Sequence, residues 1–141
     1  MSRLESVKTT SPGWSERLVD EVTDLVEKSG GRRIDVYTRS GKHPAHKALR
    51  EAAERGVPVR LLTWADPDPS QWGSAVVVER MSRSSVMPFQ SLIWLGNQRC
   101  IYHAAGELVF AANDAEVLGI VADMIEFLQR SNPGKILRAI S

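Results

Sequence analysis

The run Thr38-Arg39-Ser40-Gly41-Lys42, followed at once by His43, holds the residue types best suited to binding an anion. An arginine and a lysine supply charge-assisted donors, a serine supplies a hydroxyl, and a glycine lets backbone approach a ligand. The run leaves an apolar stretch (Ile34, Val36) and enters a helix-forming one, so it reads as a strand-to-helix loop. Free N–H groups and the helix dipole favour negative charge at such a loop. It is not a P-loop, because the first glycine and its spacing are missing. A second run, Arg80-Met81-Ser82-Arg83-Ser84-Ser85, would bring Arg80 and Arg83 to a basic pocket with Arg39, Lys42 and Arg60. Its Arg-Ser alternation also suits a phosphate or RNA backbone. The candidate ligand-binding set is therefore Arg39, Ser40, Gly41, Lys42, His43, Arg80 and Arg83. The plainer alternative for both runs is a solvated polar turn, since turns favour these residue types whatever their function.

The histidines and the cysteine make two further pairs. His43-x-x-His46 and Cys100-x-x-His103 have spacings that zinc sites use. The first pair falls at a helix start, which puts both rings on nearby faces. The second falls on a strand, where three-residue spacing puts the side chains on opposite faces. No metal and no cofactor are expected. Cys100 with His43 or His46 would resemble a nucleophile and base, but nothing in the sequence lowers the thiol pKa. There is no Gly-x-Ser-x-Gly elbow, and Asp66-x-Asp68 sits between prolines as a stiff acidic turn. No catalytic set is assigned. Trp94 falls in an apolar strand, while Trp64 and Trp72 flank a Pro-rich loop and would line a pocket or pin that loop.

The elements that must position these residues follow from periodicity. Leu18, Val19, Val22, Leu25 and Val26 predict a helix over 15–29, capped by Ser15 and ended by Gly30-Gly31. A strand over 33–38 precedes a helix over 43–55, with Pro44 at N1 and Gly56 at C′, and a second strand covers 57–64. Residues 65–73 are a turn-rich loop. Strands are predicted over 74–80, 90–95, 100–104 and 107–111, with a loop over 81–88 and a hairpin at Gly96-Asn97. Asn113 or Asp114 caps a last helix whose stripe is Val117, Ile120, Val121, Met124, Ile125 and Leu128. The tail carries Ile136, Leu137 and Ile140 at helical spacing. Residues 1–13 read as a flexible arm, 14–131 as a single α/β domain and 132–141 as a C-terminal tail. The architecture expected is a mixed sheet covered by helices. It has one parallel, right-handed βαβ crossover and an antiparallel part joined by short loops.

Bulk numbers narrow the class. At 141 residues, with 43% hydrophobic and 25% charged residues, the chain suits one globular domain. A formal net charge of +1 argues against a generic nucleic-acid or membrane binder. One cysteine excludes an internal disulfide and suits a reducing cytoplasm, and the N-terminus has no apolar signal region. No run reaches the roughly 18 apolar residues of a membrane span.

The phrase HKALREAAERGVPVRLL resembles the helix-strand unit of phospholipase D-like domains, and PFQSLIWLGNQRCIYH is similar to the strand-turn-strand carrying their second signature. The resemblance covers about residues 33–130 and implies a phospholipase D-like half-domain. The family's catalytic phrase, His-x-Lys followed by Asp, falls here on Pro88, Gln90 and Leu95, none of which can do that chemistry. The resemblance therefore implies a degenerate domain, like the effector modules of TrmB-type bacterial transcription regulators. Because the enzymes build their site from two halves, it also implies a homodimer. The reading expected is a non-catalytic sensing or protein-interaction module binding a phosphate-bearing small molecule or a protein partner. Two alternatives remain open: a small enzyme using His43 or His46 beside the basic loop, and a nucleic-acid-binding accessory protein.

Overall fold

In the computed structural model of the chain, residues 1–82 and 87–130 are described in full and 137–139 by their backbone. The elements run β1 (Arg3–Lys8), α1 (Trp14–Glu27), β2 (Ile34–Thr38), α2 (His46–Glu54), β3 (Val59–Thr63), α3 (Pro69–Trp72), β4 (Val77–Arg80), β5 (Ser91–Leu95), β6 (Arg99–Ala104), β7 (Glu107–Ala112), α4 (Ala115–Arg130) and β8 (Leu137–Ala139). The strands form one sheet in the order β1-β7-β6-β5-β2-β3-β4-β8. β2 runs parallel to β3, and β3 to β4. β5 lies antiparallel to β2, and β5, β6 and β7 form an antiparallel meander. This is the mixed α/β sheet expected from the crossover and the short later loops.

Two apolar layers sandwich the sheet. On one face Ile34, Val36, Leu61, Ile93 and Phe110 pack with Leu18, Val22 and Leu25 of α1 and Leu49 and Ala52 of α2. The small residues of α2 let it lie close to the strands. On the other face Tyr37, Leu62, Leu92, Cys100 and Ala111 pack with Leu118, Val121, Ile125 and Leu128 of α4. β2 is buried along its whole length, as a central strand covered on both sides must be.

Several boundaries differ from the sequence reading, each for a local reason. The expected flexible arm contains β1, an edge strand in antiparallel register with β7 from Arg3↔Ala112 to Lys8↔Glu107. Its ladder is long-range, so local residue types did not announce it. Ser15 does not cap α1; Gly13 holds the N-cap position with φ 77°, and the Ser15 hydroxyl donates to Glu16 instead. Helix α2 starts at His46 rather than at His43, because the preceding residues form a separate turn around the His43 ring. Its far end is as expected: Gly56 takes φ 99°, and the Gly56 and Val57 amides bond back to Ala53 and Ala52. Within the loop over 65–73, Asp68 accepts from the Ser70 amide and Pro69 opens the one-turn helix α3. Leu137–Ala139 is a strand on β4 rather than part of a helix. Ile136, Ile140 and Arg83 lie outside the described residues.

The crossover loop is clamped to the segment before α3. Gly41 has φ 75°, and a methyl group there would stand 2.2 Å from the Asp66 carbonyl oxygen. The Gly41 carbonyl accepts from the Trp72 indole at 2.9 Å and from the Asp68 amide at 3.3 Å. Thr38 Oγ1 accepts from the Gly41 amide at 3.1 Å, closing the turn at the end of β2. A Gly41→Ala variant should lose at least about 2 kcal/mol of stability in urea unfolding, from the left-handed backbone and the backbone clash together. An unchanged midpoint would show that the loop does not need this approach.

At the opposite end of the sheet, an ion network ties β1 and β6 to α1. Arg99 donates to Glu21 at 3.0 Å and to Asp24 at 2.7 Å, and Arg3 reaches Glu21 at 2.5 Å. Burial pushes the Glu21 carboxyl up, but the Arg3 and Arg99 guanidiniums more than offset this and leave it below its ordinary value. Removing Arg99 takes a charge-assisted partner from both Glu21 and Asp24 while Arg3 and Arg17 still hold Glu21, so Arg99→Ala should cost about 1–3 kcal/mol. Because the folded Glu21 pKa is depressed, its contribution is present above the unfolded carboxylate range and fades as pH falls through the lower folded value. A Glu21→Gln variant should therefore show a shallower loss of stability on acidification than the parent in pH-resolved urea titrations. Parallel curves would contradict this.

Candidate functional site

A pocket of about 360 Å³ opens at the C-terminal end of parallel strand β2, where the crossover turns into α2. Open α/β sheets bind ligands at this edge. Ser40, Lys42, His43, Pro44 and His46 line it from the loop and the start of α2, and Gln71 from α3. Gln90 and Ser91 line it from the start of β5, His103 from β6 and Trp14 from the start of α1. Ser91 and His103 are brought together because they face each other across the β5–β6 ladder. The sequence holds three histidines, and all three stand on this wall. Among the described residues, no carboxylate lines it.

His43 organises the site. It is 2% exposed, and its Nδ1 accepts from the Ala45 amide at 3.0 Å. The neutral ring therefore carries its proton on Nε2 and has no lone pair left for a nucleophilic attack. Burial first, then the nearby His103 and His46 rings, push its pKa down to about 3, so it stays neutral at physiological pH. Burial also lowers the His103 pKa. The His103 and Trp14 rings lie 6.3 Å apart at a tilt of 45°. His46 Nδ1 is buried with no hydrogen-bond partner among the described residues.

The backbone of the loop is not the anion cradle that its sequence suggests. The Lys42 amide donates to Ser40 Oγ at 3.2 Å and the His43 amide to Gln71 Oε1 at 3.0 Å. The Gly41 amide is held by Thr38, the Ala45 amide by His43 Nδ1 and the His46 amide by the His43 carbonyl. These five amides are therefore engaged within the protein, and the exposed Lys42 ammonium is the formal charge on the wall.

The seven candidate binding residues separate. Ser40, Lys42 and His43 line the pocket, and Gly41 lies buried behind them as the clamp. Arg39 does not line it; its guanidinium donates to the Met87 carbonyl and lies 5.4 Å from the Trp64 ring centre. Arg80 pairs with Asp66 and donates to the Trp64 carbonyl at 2.9 Å. Arg83 lies outside the described residues. Residues that the sequence reading did not place here are Gln71, Gln90, Ser91 and Trp14. His103 entered it through the Cys100-x-x-His103 spacing and as a companion of His43, Lys42 and Arg80 in the enzyme alternative; the pocket brings three of those four together and leaves out Arg80.

Cys100 and His103 do lie on opposite faces, Cys100 under α4 and His103 in the pocket on the α1 side. Burial pushes the Cys100 thiol up to about 12, so it is no thiolate nucleophile at neutral pH. Among the described residues, no group of three or more His, Cys, Asp or Glu side chains could hold a metal. Of the positions where the resemblance set the family's catalytic phrase, Gln90 lines the pocket, while Leu95 is buried at the far end of β5.

No protein-family model matches the chain, and no curated protein does. Solved structures do. A phospholipase D family member, Nuc from Salmonella typhimurium, covers 100% of both chains at 14% identity with a TM-score of 0.60. NucT from Helicobacter pylori covers 95% of this chain and 99% of its own at 10% identity, with a TM-score of 0.55. Polyphosphate kinase from Porphyromonas gingivalis matches over 99% of this chain and 24% of its own length, at 16% identity and a TM-score of 0.54. Among the described residues no helix is long and apolar enough to cross a membrane. The mixed sheet and its helices thus share the fold of phospholipase D-like proteins.

Proposed function

We propose that this chain is a non-catalytic module of the phospholipase D-like fold, a degenerate relative of its enzymes, that binds a phosphate-bearing small molecule in the pocket at Ser40, Lys42, His43, His46 and His103. The observation that carries this reading is the lining itself: three imidazoles, one ammonium and several neutral donors, with no carboxylate. Such a wall attracts an anion but has no acid to orient a histidine as base. His43 spends its free nitrogen on the Ala45 amide, and Gln90 stands where the family's phrase has a lysine. With Arg39 and Arg80 engaged elsewhere, the pocket suits a compact anion better than a nucleic-acid backbone.

The test is titration with inorganic phosphate by calorimetry, alongside a release assay with bis(p-nitrophenyl) phosphate. Binding should be saturable, and Lys42→Ala should weaken it about tenfold, the loss of roughly 1.4 kcal/mol of charge-assisted bonding. No p-nitrophenol should be released. One observation favours a second reading, an enzyme with His46 as acid or base: its buried Nδ1 has no partner. Turnover that disappears in His46→Gln would establish that reading in place of the first.

The module is further proposed to act in a bacterial cytoplasm as a homodimer or on a regulatory partner. Ile120 and Phe127, each 56% exposed on α4, support that helix as the contact surface, whereas Trp94 is already partly packed beneath it. Sedimentation velocity should show a dimer that Phe127→Ser shifts toward monomer. A monomer across the accessible concentrations would refute the self-association.

A further inference from the structure

The pocket wall holds a buried imidazole nitrogen with nothing to bind: His46 Nδ1 has no partner among the described residues. A buried polar group without a partner is costly. His43 is almost fully buried and its Nδ1 is occupied, which leaves the N–H at Nε2 as the ring's donor. His103 completes the set from β6. Burial makes His43 and His103 resist protonation, and Lys42 already places one positive charge on the same wall.

We infer that the pocket binds a tetrahedral oxyanion together with a proton, which is taken from solvent onto the His46–His103 pair as the anion enters. This rests on the anion-site reading above and says how that site is regulated. The empty pocket disfavours a second positive charge beside Lys42, and the anion supplies what is missing. One ring then becomes an imidazolium donor to the ligand, and the buried His43 N–H becomes a second donor. His43 remains neutral in both states.

The charges around the pair are few. From the loop there is Lys42, and on α2 itself there are Lys47 and Arg50, the latter directed at the Ser70 and Gln71 carbonyls. From the α3 side there is Asp68, whose carboxyl is held below its ordinary value first by Ser70 and then by Lys42 and His46. From α1 there are Glu16 and Asp20, in a neighbouring hollow that shares Pro44 with this pocket. From β5 and β7, Ser91 and Leu108 face His103 without charge. None of these three carboxylates lines the pocket, so none replaces the anion.

The sign follows from linkage. The ring's pKa is higher with the anion bound than without it, so binding takes up a proton between the two values. Affinity should rise as pH falls through that window, by at most about tenfold per pH unit. Burial already lowers the His103 pKa, which places the lower limit beneath the ordinary histidine value. A site of this kind holds its anion in mildly acidic conditions and releases it as pH rises.

Sulfate is the probe, because it does not itself titrate near neutrality. Calorimetry in two buffers of different ionisation enthalpy, from about pH 5.5 to about pH 8, should show uptake of up to about one proton and weakening affinity at the alkaline end. His46→Gln or His103→Gln should remove the uptake and flatten the profile. Lys42→Ala should weaken binding at every pH and leave the proton count unchanged. Sulfate binding with a flat pH profile and buffer-independent heat overturns the proton coupling and leaves the anion site standing. Phosphate binding without sulfate binding also overturns the coupling, since charge and one proton do not distinguish the two. Failure of both anions to bind at any pH overturns the anion site itself.

Discussion

The crossover loop must satisfy its backbone N–H groups in a partly buried corner of the molecule, and that constraint shapes the pocket. Thr38, Ser40, Gln71 and the His43 ring each take one amide, and the His43 carbonyl takes another. Leaving such donors unpaired when buried costs as much as a lost hydrogen bond, so the loop has little freedom to choose another path. The same bonds fix the tautomer of His43 and delay the start of α2 to His46. They also carry the Gly41 carbonyl to the Trp72 indole, which locks the loop onto α3. The amides of Gly41, Lys42, His43, Ala45 and His46, which a strand-to-helix loop would normally offer to an anion, are thereby engaged within the protein. A site of imidazoles and one ammonium depends on pH in a way that a nest of amides does not.

The sheet itself divides the basic residues. Arg39 and Lys42 are three positions apart in one loop, yet Arg39 turns toward Trp64 and Met87 on the α4 side while Lys42 stands with the histidines on the α1 side. Arg80, at the end of β4, is held by Asp66 and the Trp64 carbonyl. These arginines brace the connections beyond β3 and β4. A count of basic residues in sequence would merge two sets that the fold keeps apart and assigns to different work.

What was legible in the sequence was what local chemistry decides. The Ile34–Thr38 strand, the Ala-rich helix closed by Gly56, the amphipathic α1 and α4 and the later strands all carry their periodicity within a few residues. The opposite facing of Cys100 and His103 follows from the two-residue repeat of a strand alone. β1 was not legible, because Arg3–Lys8 has only Leu4 and Val7 as apolar residues and takes its order from β7 about a hundred positions away. The site was half legible. Its loop and three of its residues came from residue type. The occupation of its amides depends on Gln71, 28 positions from His43, and the arrival of His103 depends on the β5–β6 register.

The likeness to Nuc and NucT bears on the sheet and not on the chemistry. At 14% and 10% identity a shared fold passes on strand order, the crossover and the edge where ligands collect. It does not pass on the groups at that edge. Here the edge carries Gln90 at the start of β5 and three histidines contributed by the loop, α2 and β6. One of those rings is bound to the backbone through Nδ1 and depressed to about 3, which removes it from proton transfer and nucleophilic attack near neutrality. The same burial makes it a fixed donor that water cannot compete for. The position of the pocket comes from the fold, and the anion binding proposed for it rests on a lining of imidazoles and one ammonium with no carboxylate among the described residues.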